Sequence, residues 1–233
     1  MRRRHLIRSG VIATTGIGLG AVTAGPATSA DSRPQPLRVH TVLYDGVEEQ
    51  DFAGPVEVLG IIARSHRVKQ TFVSADGPGT VRTVSGMEIV IRSPWSPWSA
   101  DLIMVPGGGY GDGSALAEQI ERGTLPKALA KARRPGLTLG AVCTGTMLLS
   151  AAGITDQRPC TTHHIAVEDL KAAGGKVVPG RVVDDGDLVT CGGVTSGIDL
   201  ALWLIERRYG PATALFAEEV LEYERRGTVW RAA

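Results

Sequence analysis

The sequence predicts an α/β fold, a three-layer sandwich with a mostly parallel central sheet and helices on both faces. Three observations predict it. Short β-branched runs alternate with stretches whose apolar residues recur at helical spacing, the pattern of βαβ units. Glycine-rich polar clusters follow several predicted strands, at the ends where such sheets bind ligands. The 233 residues include 30 glycines and only 5% aromatics, which suits many tight turns around one substantial core rather than a disulfide-stapled miniprotein.

Residues 1–30 come first and stand outside that pattern. "MRRRHLIRSG" carries Arg2, Arg3, Arg4 and Arg8 with no acid, followed by the mildly apolar "VIATTGIGLGAVTAG" and by small residues ending "ATSA". This is the layout of a twin-arginine-type export signal, too weakly apolar to span a bilayer; the plain alternative is a basic tail. A polar linker, 31–36, leads into a domain expected over 37–233. Loss of residues 1–30 leaves 21 basic and 24 acidic residues, a net charge of −3. With no basic stripe and no repeat, nucleic acid is not an expected partner.

"LRVHTVLY" (37–44) is a β-branched run and reads as a buried first strand. "DGVEEQDFAGPVEVLGIIAR" is a turn and an amphipathic helix. "VKQTFVSA" (68–75) is a second strand, and "TVRTVSGMEIVIR" two short strands around Ser85-Gly86. "SPWSPW" is a rigid surface loop. "ADLIMVPGGG" is a strand closing on glycines. The helical stretch 114–134 is interrupted near Gly123 and Pro126. "GLTLGAV" and "TMLLSAAG" form a strand and a helix around Cys143. A helix, "IAVEDLKAAG", follows "PCTTHH"; then come two strands, "KVVPGRVVDD" and "DLVTCGG". The closing helix "TSGIDLALWLIERRYG" stops at Gly210-Pro211.

Chemistry concentrates at the strand ends "YDGVEEQD", "PGGGY" and "VCTG". Cys143 sits where a buried strand turns into a helix. Amide N–H groups at such a turn favour a thiolate, and the sharp bend pushes the side chain out of the sheet. The plain alternative is a buried structural cysteine. Thr144 and Gly145 leave room for a substrate, and the Thr144 N–H is placed to donate to a developing anion. Gly108 is a second candidate donor, unless "PGGG" is only a tight turn. His163, twenty residues after Cys143, is either an imidazole partner for the thiol or half of a surface pair with His164. Asp51 is either a helix N-cap or a carboxylate held over the thiol to move protons and activate water. No Cys/His cluster has metal-ligand spacing, and neither metal nor cofactor is expected.

Taken together, "YDGVEEQDFAGPVEVLG", "DLIMVPGGG", "GAVCTGTMLLSAAGITDQRPCTTHH" and "VTSGIDLALWLIE" resemble, in order and over about residues 37–210, the ThiJ/PfpI superfamily. That resemblance implies a class I glutamine amidotransferase-like, flavodoxin-like sheet. Within it the chain is similar to the isonitrile hydratase branch and to the sensor domains of certain transcription activators, which share the "DxxGP" helix start, "CTG" and "TTH". The resemblance implies a nucleophile at Cys143, a carboxylate at Asp51, a neighbouring role at Thr144, a backbone donor at Gly108 and a histidine at His163. The departures narrow it. Ile165 stands where a glutaminase has Glu, Thr144 stands where the peptidase branch has His, and 211–233 is too short for a helix-turn-helix domain.

The reading implied is an exported, periplasmic or extracellular cysteine-dependent hydratase, a lyase. Cys143 attacks the terminal carbon of an isonitrile, and the thioimidate is hydrated to an N-substituted formamide. The alternatives are a non-catalytic ligand-binding or redox-sensing module and a glyoxalase- or deglycase-like enzyme. The expected partners are a small electrophilic substrate and a second copy in a homodimer, with no membrane contact by the mature form. Of the three cysteines, Cys160 and Cys191 are expected to pair if their strands are neighbours, leaving Cys143 free.

Overall fold

The computed structural model describes residues 35–232; the expected signal (1–30) and residues 31–34 of the expected linker lie outside the described residues. The chain runs through β1 (Leu37–Val42), α1 (Glu49–Ile62), β2 (Val68–Val73), the β3 (Gly79–Arg82) and β4 (Glu88–Ile91) hairpin and β5 (Leu102–Val105). Next come α2 (Ala115–Arg122), α3 (Thr124–Ala132), β6 (Thr138–Ala141), α4 (Gly145–Ala151), β7 (Pro159–Cys160), α5 (Val167–Ala172) and β8 (Lys176–Val177). It ends with β9 (Val182–Asp185), β10 (Leu188–Cys191), α6 (Ser196–Tyr209), α7 (Pro211–Leu221) and β11 (Val229–Arg231).

Seven strands form one sheet in the order β11-β9-β10-β6-β5-β1-β2. From β2 to β10 every pairing is parallel; β9 lies antiparallel to β10, and β11 is parallel to β9. The apolar residues fall into two clusters. One gathers Leu116, Leu125, Leu129, Leu148 and Leu170 from α2 to α5. The other gathers Val58, Leu59, Leu200, Leu202 and Ala214 from α1, α6 and α7. A strand alternates its side chains between faces, so two clusters on one sheet make the expected three layers.

The helix expected over 114–134 breaks at Gly123, whose φ of 67° caps α2 and starts α3. Pro126 then falls in the first turn of α3, where its missing N–H costs nothing. The strand expected over 176–185 splits into β8, which pairs with β7, and β9 in the main sheet. Gly210-Pro211 ends α6 as expected but also starts α7, because proline is as suited to a first helical turn as to a stop. Buried Asp199 ties the remaining tail down. It accepts from Arg181 Nε (2.5 Å), Tyr223 Oη (3.0 Å) and Arg226 N (2.9 Å), which returns the chain to pair as β11.

The expected Cys160–Cys191 bridge is a correction: both residues are free thiols and fully buried. The reason is the period-2 alternation along β10. Thr190, not Cys191, faces β7, where its Oγ1 accepts from Thr161 N at 2.8 Å. Cys191 therefore points to the opposite face, into the cluster of α1 and α6, while Cys160 packs with Leu170 in the other cluster.

Candidate active site

The strand order reverses at β1, which has β2 on one side and β5 on the other. In open parallel sheets a crevice opens beyond the carboxyl ends at such a point. The loop after β1 leads into α1 and Asp51, the loop after adjacent β5 carries Pro106-Gly107-Gly108, and the next strand, β6, runs into Cys143.

Cys143 has φ +58°, the left-handed region that a non-glycine residue rarely adopts. Holding it there costs on the order of 1–3 kcal/mol. The elbow is pinned on both sides: Cys143 N donates to Gly192 O (3.0 Å), and Thr162 Oγ1 donates to Cys143 O (2.9 Å). Each such buried bond offsets about 1 kcal/mol. Gly145 completes the turn. A Cβ there would stand 2.8 Å from the Pro106 carbonyl carbon and overlap the Val105 carbonyl oxygen, so only glycine lets α4 start against the end of β5.

Asp51 is the third residue of α1, not its N-cap, which is Glu48. It is 1% exposed, and its Oδ2 accepts from Gly107 N at 2.9 Å. Its Oδ1 has no partner in hydrogen-bond geometry. Burial pushes the Asp51 carboxyl up to about 7, against the restraining effects of the Gly107 N–H and the Cys143 thiol. Gly107 must be glycine here as well, since a Cβ would lie 2.8 Å from Asp51 Oδ2.

The expectation of a resting thiolate is corrected. Burial, reinforced by the Asp51 charge, pushes the Cys143 thiol up to about 11. The N–H groups of Val194 and Thr144 and the Thr144 hydroxyl favour the anion, but desolvation outweighs them. The resting pair is therefore a thiol beside a carboxyl that titrates near neutrality.

Two further roles change. The Gly108 N–H is not open to a ligand, because it donates to Thr144 Oγ1 at 3.1 Å, and that hydroxyl donates back to Gly108 O at 2.9 Å. Thr144 is 1% exposed and clamps the glycine loop whose preceding residue holds Asp51. His163 makes no hydrogen bond to Cys143. Its Nδ1 accepts from Ile165 N (3.3 Å), its ring lies against Gly193, and its centroid is 4.2 Å from that of His164. Burial, with His164 beside it, holds the His163 imidazole below its usual range.

The sequence reading missed three groups at this end of the sheet. Buried Tyr44 donates from Oη to Pro106 O at 3.1 Å and fixes the start of the glycine loop. Thr162 holds the elbow carbonyl. Val194, at φ +46°, presents its N–H to the Cys143 sulfur. The signal for Val194 was "CGGV", a glycine cluster at the carboxyl end of β10 like the three already noted. A cleft of about 450 Å³ opens beside the elbow, lined by Thr162, His163, His164, Gly193, Val194 and Ser196 among others. A cavity of about 460 Å³ at the opposite, amino-terminal ends of β1, β5 and β6 touches none of these groups, and its Arg38 and Arg207 are already paired with Asp101 and Asp184.

Set beside known proteins, residues 37–207 match the DJ-1/PfpI family. The isonitrile hydratase of Pseudomonas putida is 32% identical over 190 residues, which cover 80% of this chain and 78% of that enzyme. The HTH-type transcriptional regulator CdhR of Pseudomonas aeruginosa is 31% identical over 185 residues, covering 76% of this chain but 52% of the regulator. Among solved structures, a ThiJ/PfpI family protein from Pseudomonas syringae superimposes with a TM-score of 0.72 at 22% identity. That match covers 87% of this chain and 81% of the other and is a likeness of fold.

Proposed function

Since the chain belongs to the DJ-1/PfpI family, we propose that it is a cysteine-dependent hydratase that converts isonitriles to N-substituted formamides. The observation that carries this reading is the strained Cys143 elbow facing a buried carboxyl with an elevated pKa. Hydration of an isonitrile begins by adding sulfur and hydrogen to the same carbon. A nucleophile and a proton carrier side by side match that demand. The first step develops no oxyanion, so the occupied amides of Gly107 and Gly108 are no obstacle to it.

The Asp51 carboxylate accepts the thiol proton as sulfur attacks the terminal carbon, then returns that proton to the same carbon, giving a thioimidate. A carboxyl near 7 accepts from a thiol far better than one at 3.8. Asp51 next takes a proton from water as the hydroxide adds to the thioimidate carbon, and delivers it to nitrogen. Collapse expels the sulfur, the hydroxyl proton passes through Asp51 to Cys143, and the formamide leaves. Thr144 keeps Asp51 in place through the glycine loop.

The same reading has residues 1–30 direct export by the twin-arginine route, on the strength of Arg3-Arg4 and the weakly apolar stretch after them. It has the mature chain work as a homodimer outside the cytoplasm. Retention of an Arg3→Lys/Arg4→Lys variant in the cytoplasmic fraction supports the route, and unchanged export contradicts it. For the activity, purified protein is incubated with cyclohexyl isocyanide and formamide is followed beside Cys143→Ala. Product from the wild type alone supports the reading. Turnover that survives the substitution, or methylglyoxal consumption without formamide, overturns it.

A further inference from the structure

Cys191 has no part in the mechanism above, yet it lies directly beneath the site. β10 and β6 pair in parallel with Val189 opposite Gly140 and Thr190 opposite Ala141. Continued one step, that register sets Cys191 beside Val142 and would have Cys143 N donate to Cys191 O; Cys143 N donates instead to Gly192 O (3.0 Å), so the two strands stay in contact at the elbow with the register slipped by one residue. Residues opposite each other in a sheet point the same way, and Val142 and Cys191 do share the cluster under α1 and α6. In an unbroken strand Cys143 would point to the other face. Its left-handed φ of +58° turns it instead into that same cluster. The two residues thus sit on touching strands with their side chains in one cluster, the arrangement from which a disulfide can form. The electrostatics agree: the Cys191 thiol senses the Asp51 carboxyl, the Cys143 backbone N–H and the Cys143 thiol.

We propose that Cys191 is a resolving thiol, and that hydroperoxides convert the Cys143 and Cys191 pair reversibly into a disulfide. The peroxide O–O bond breaks as the Cys143 sulfur takes one oxygen, giving a sulfenic acid and an alcohol or water. The Cys191 sulfur then attacks the sulfenic sulfur. The S–S bond forms, the S–O bond breaks, and the hydroxyl leaves with the Cys191 proton as water. Cys143, with its thiol held high, is oxidised slowly, and Cys191 intercepts the sulfenic acid before a second oxidation to the irreversible sulfinate. Cys191 is fully buried in the same cluster as Cys143, so it meets the sulfenic sulfur from inside the core. The inference does not depend on the nature of the substrate.

The test uses the purified chain, hydrogen peroxide as the oxidant and mass mapping of alkylated peptides without reductant. The expected result is a linked pair of peptides carrying Cys143 and Cys191, with Cys160 alkylated in the denatured protein. Dithiothreitol should restore about nine-tenths or more of the Cys143 thiol in the wild type and in Cys160→Ala, but less than about one-tenth in Cys191→Ala, where oxidation runs on to sulfinate and sulfonate. Cys143 sulfinate beside an alkylatable Cys191 in the wild type overturns the proposal, as does a bridge to Cys160. The wild-type map decides the matter even if Cys191→Ala does not fold.

Discussion

Replacing Asp51 with asparagine keeps the shape of the side chain and removes its charge, and the structure gives the size of the response. The carboxyl titrates at about 7 in the fold against 3.8 as its ordinary value, and the residue is 1% exposed, so water screens little of the difference. Three units correspond to roughly 4 kcal/mol. The sign follows from proton binding. Between about pH 4 and pH 7 the folded wild type holds a proton that the unfolded chain has released, so its stability falls as pH rises through that window. Below pH 4 both states are protonated and the penalty is absent. The asparagine side chain ionises at no pH and can still accept from Gly107 N. Relative to the wild type, Asp51→Asn should therefore gain about 2–4 kcal/mol between pH 4 and pH 8. Urea unfolding of both proteins at half-unit intervals of pH measures it. A stability difference that stays flat from pH 4 to pH 8, or one that moves against the variant, would refute the assignment of Asp51 as a destabilised buried acid.

Gly145→Ala should destabilise the fold by about 3 kcal/mol, read as a lowered urea midpoint, because its Cβ meets backbone that cannot rotate away. A change below about 0.5 kcal/mol would show that α4 can retreat from β5. In protein purified without reductant and shielded from peroxide, thiol titration under denaturing conditions should count three free cysteines; a count of one, with the peptides of Cys160 and Cys191 linked, would restore that bridge. In the native state only Cys143 should react with iodoacetamide. At pH 7.5 it should react about 100-fold more slowly than an ordinary thiol, given a shift from 9.0 to about 11. Equal labelling of Cys160 or Cys191 would contradict their complete burial.

How far the sequence can be read depends on whether a feature is local. The turn at Cys143 is legible because an apolar strand, a small polar step and a helix follow one another within about fifteen residues. Its protonation state is not, because an amide that favours a thiolate is visible in "CTG" while the burial that outweighs it, and the Asp51 charge that adds to it, exist only once the chain has folded. The bond from Gly107 to Asp51 joins a loop to the first turn of α1, 56 residues away, and exists because β1 and β5 are neighbours, a matter of topology that no window of sequence holds. "PGGG" looks like a set of open donors. In the structure two of its amides are consumed in holding Asp51 and Thr144. Residues 211–231 look like a remainder because Gly210-Pro211 signals a stop, yet the same proline opens α7, and Asp199 draws the tail back to the sheet edge. The bridge between Cys160 and Cys191 fails on parity, since strands that touch can still send the two thiols to opposite faces.

The account stands most directly on the protonation state that works. For cyclohexyl isocyanide, kcat/KM measured from pH 5 to pH 9.5 should rise about tenfold per unit up to pH 7 and then stay level. Asp51 must be ionised to take the thiol proton, and Cys143 keeps that proton until pH approaches 11. A profile that falls above pH 7, or one that climbs steadily through pH 9 with no break near 7, would contradict it.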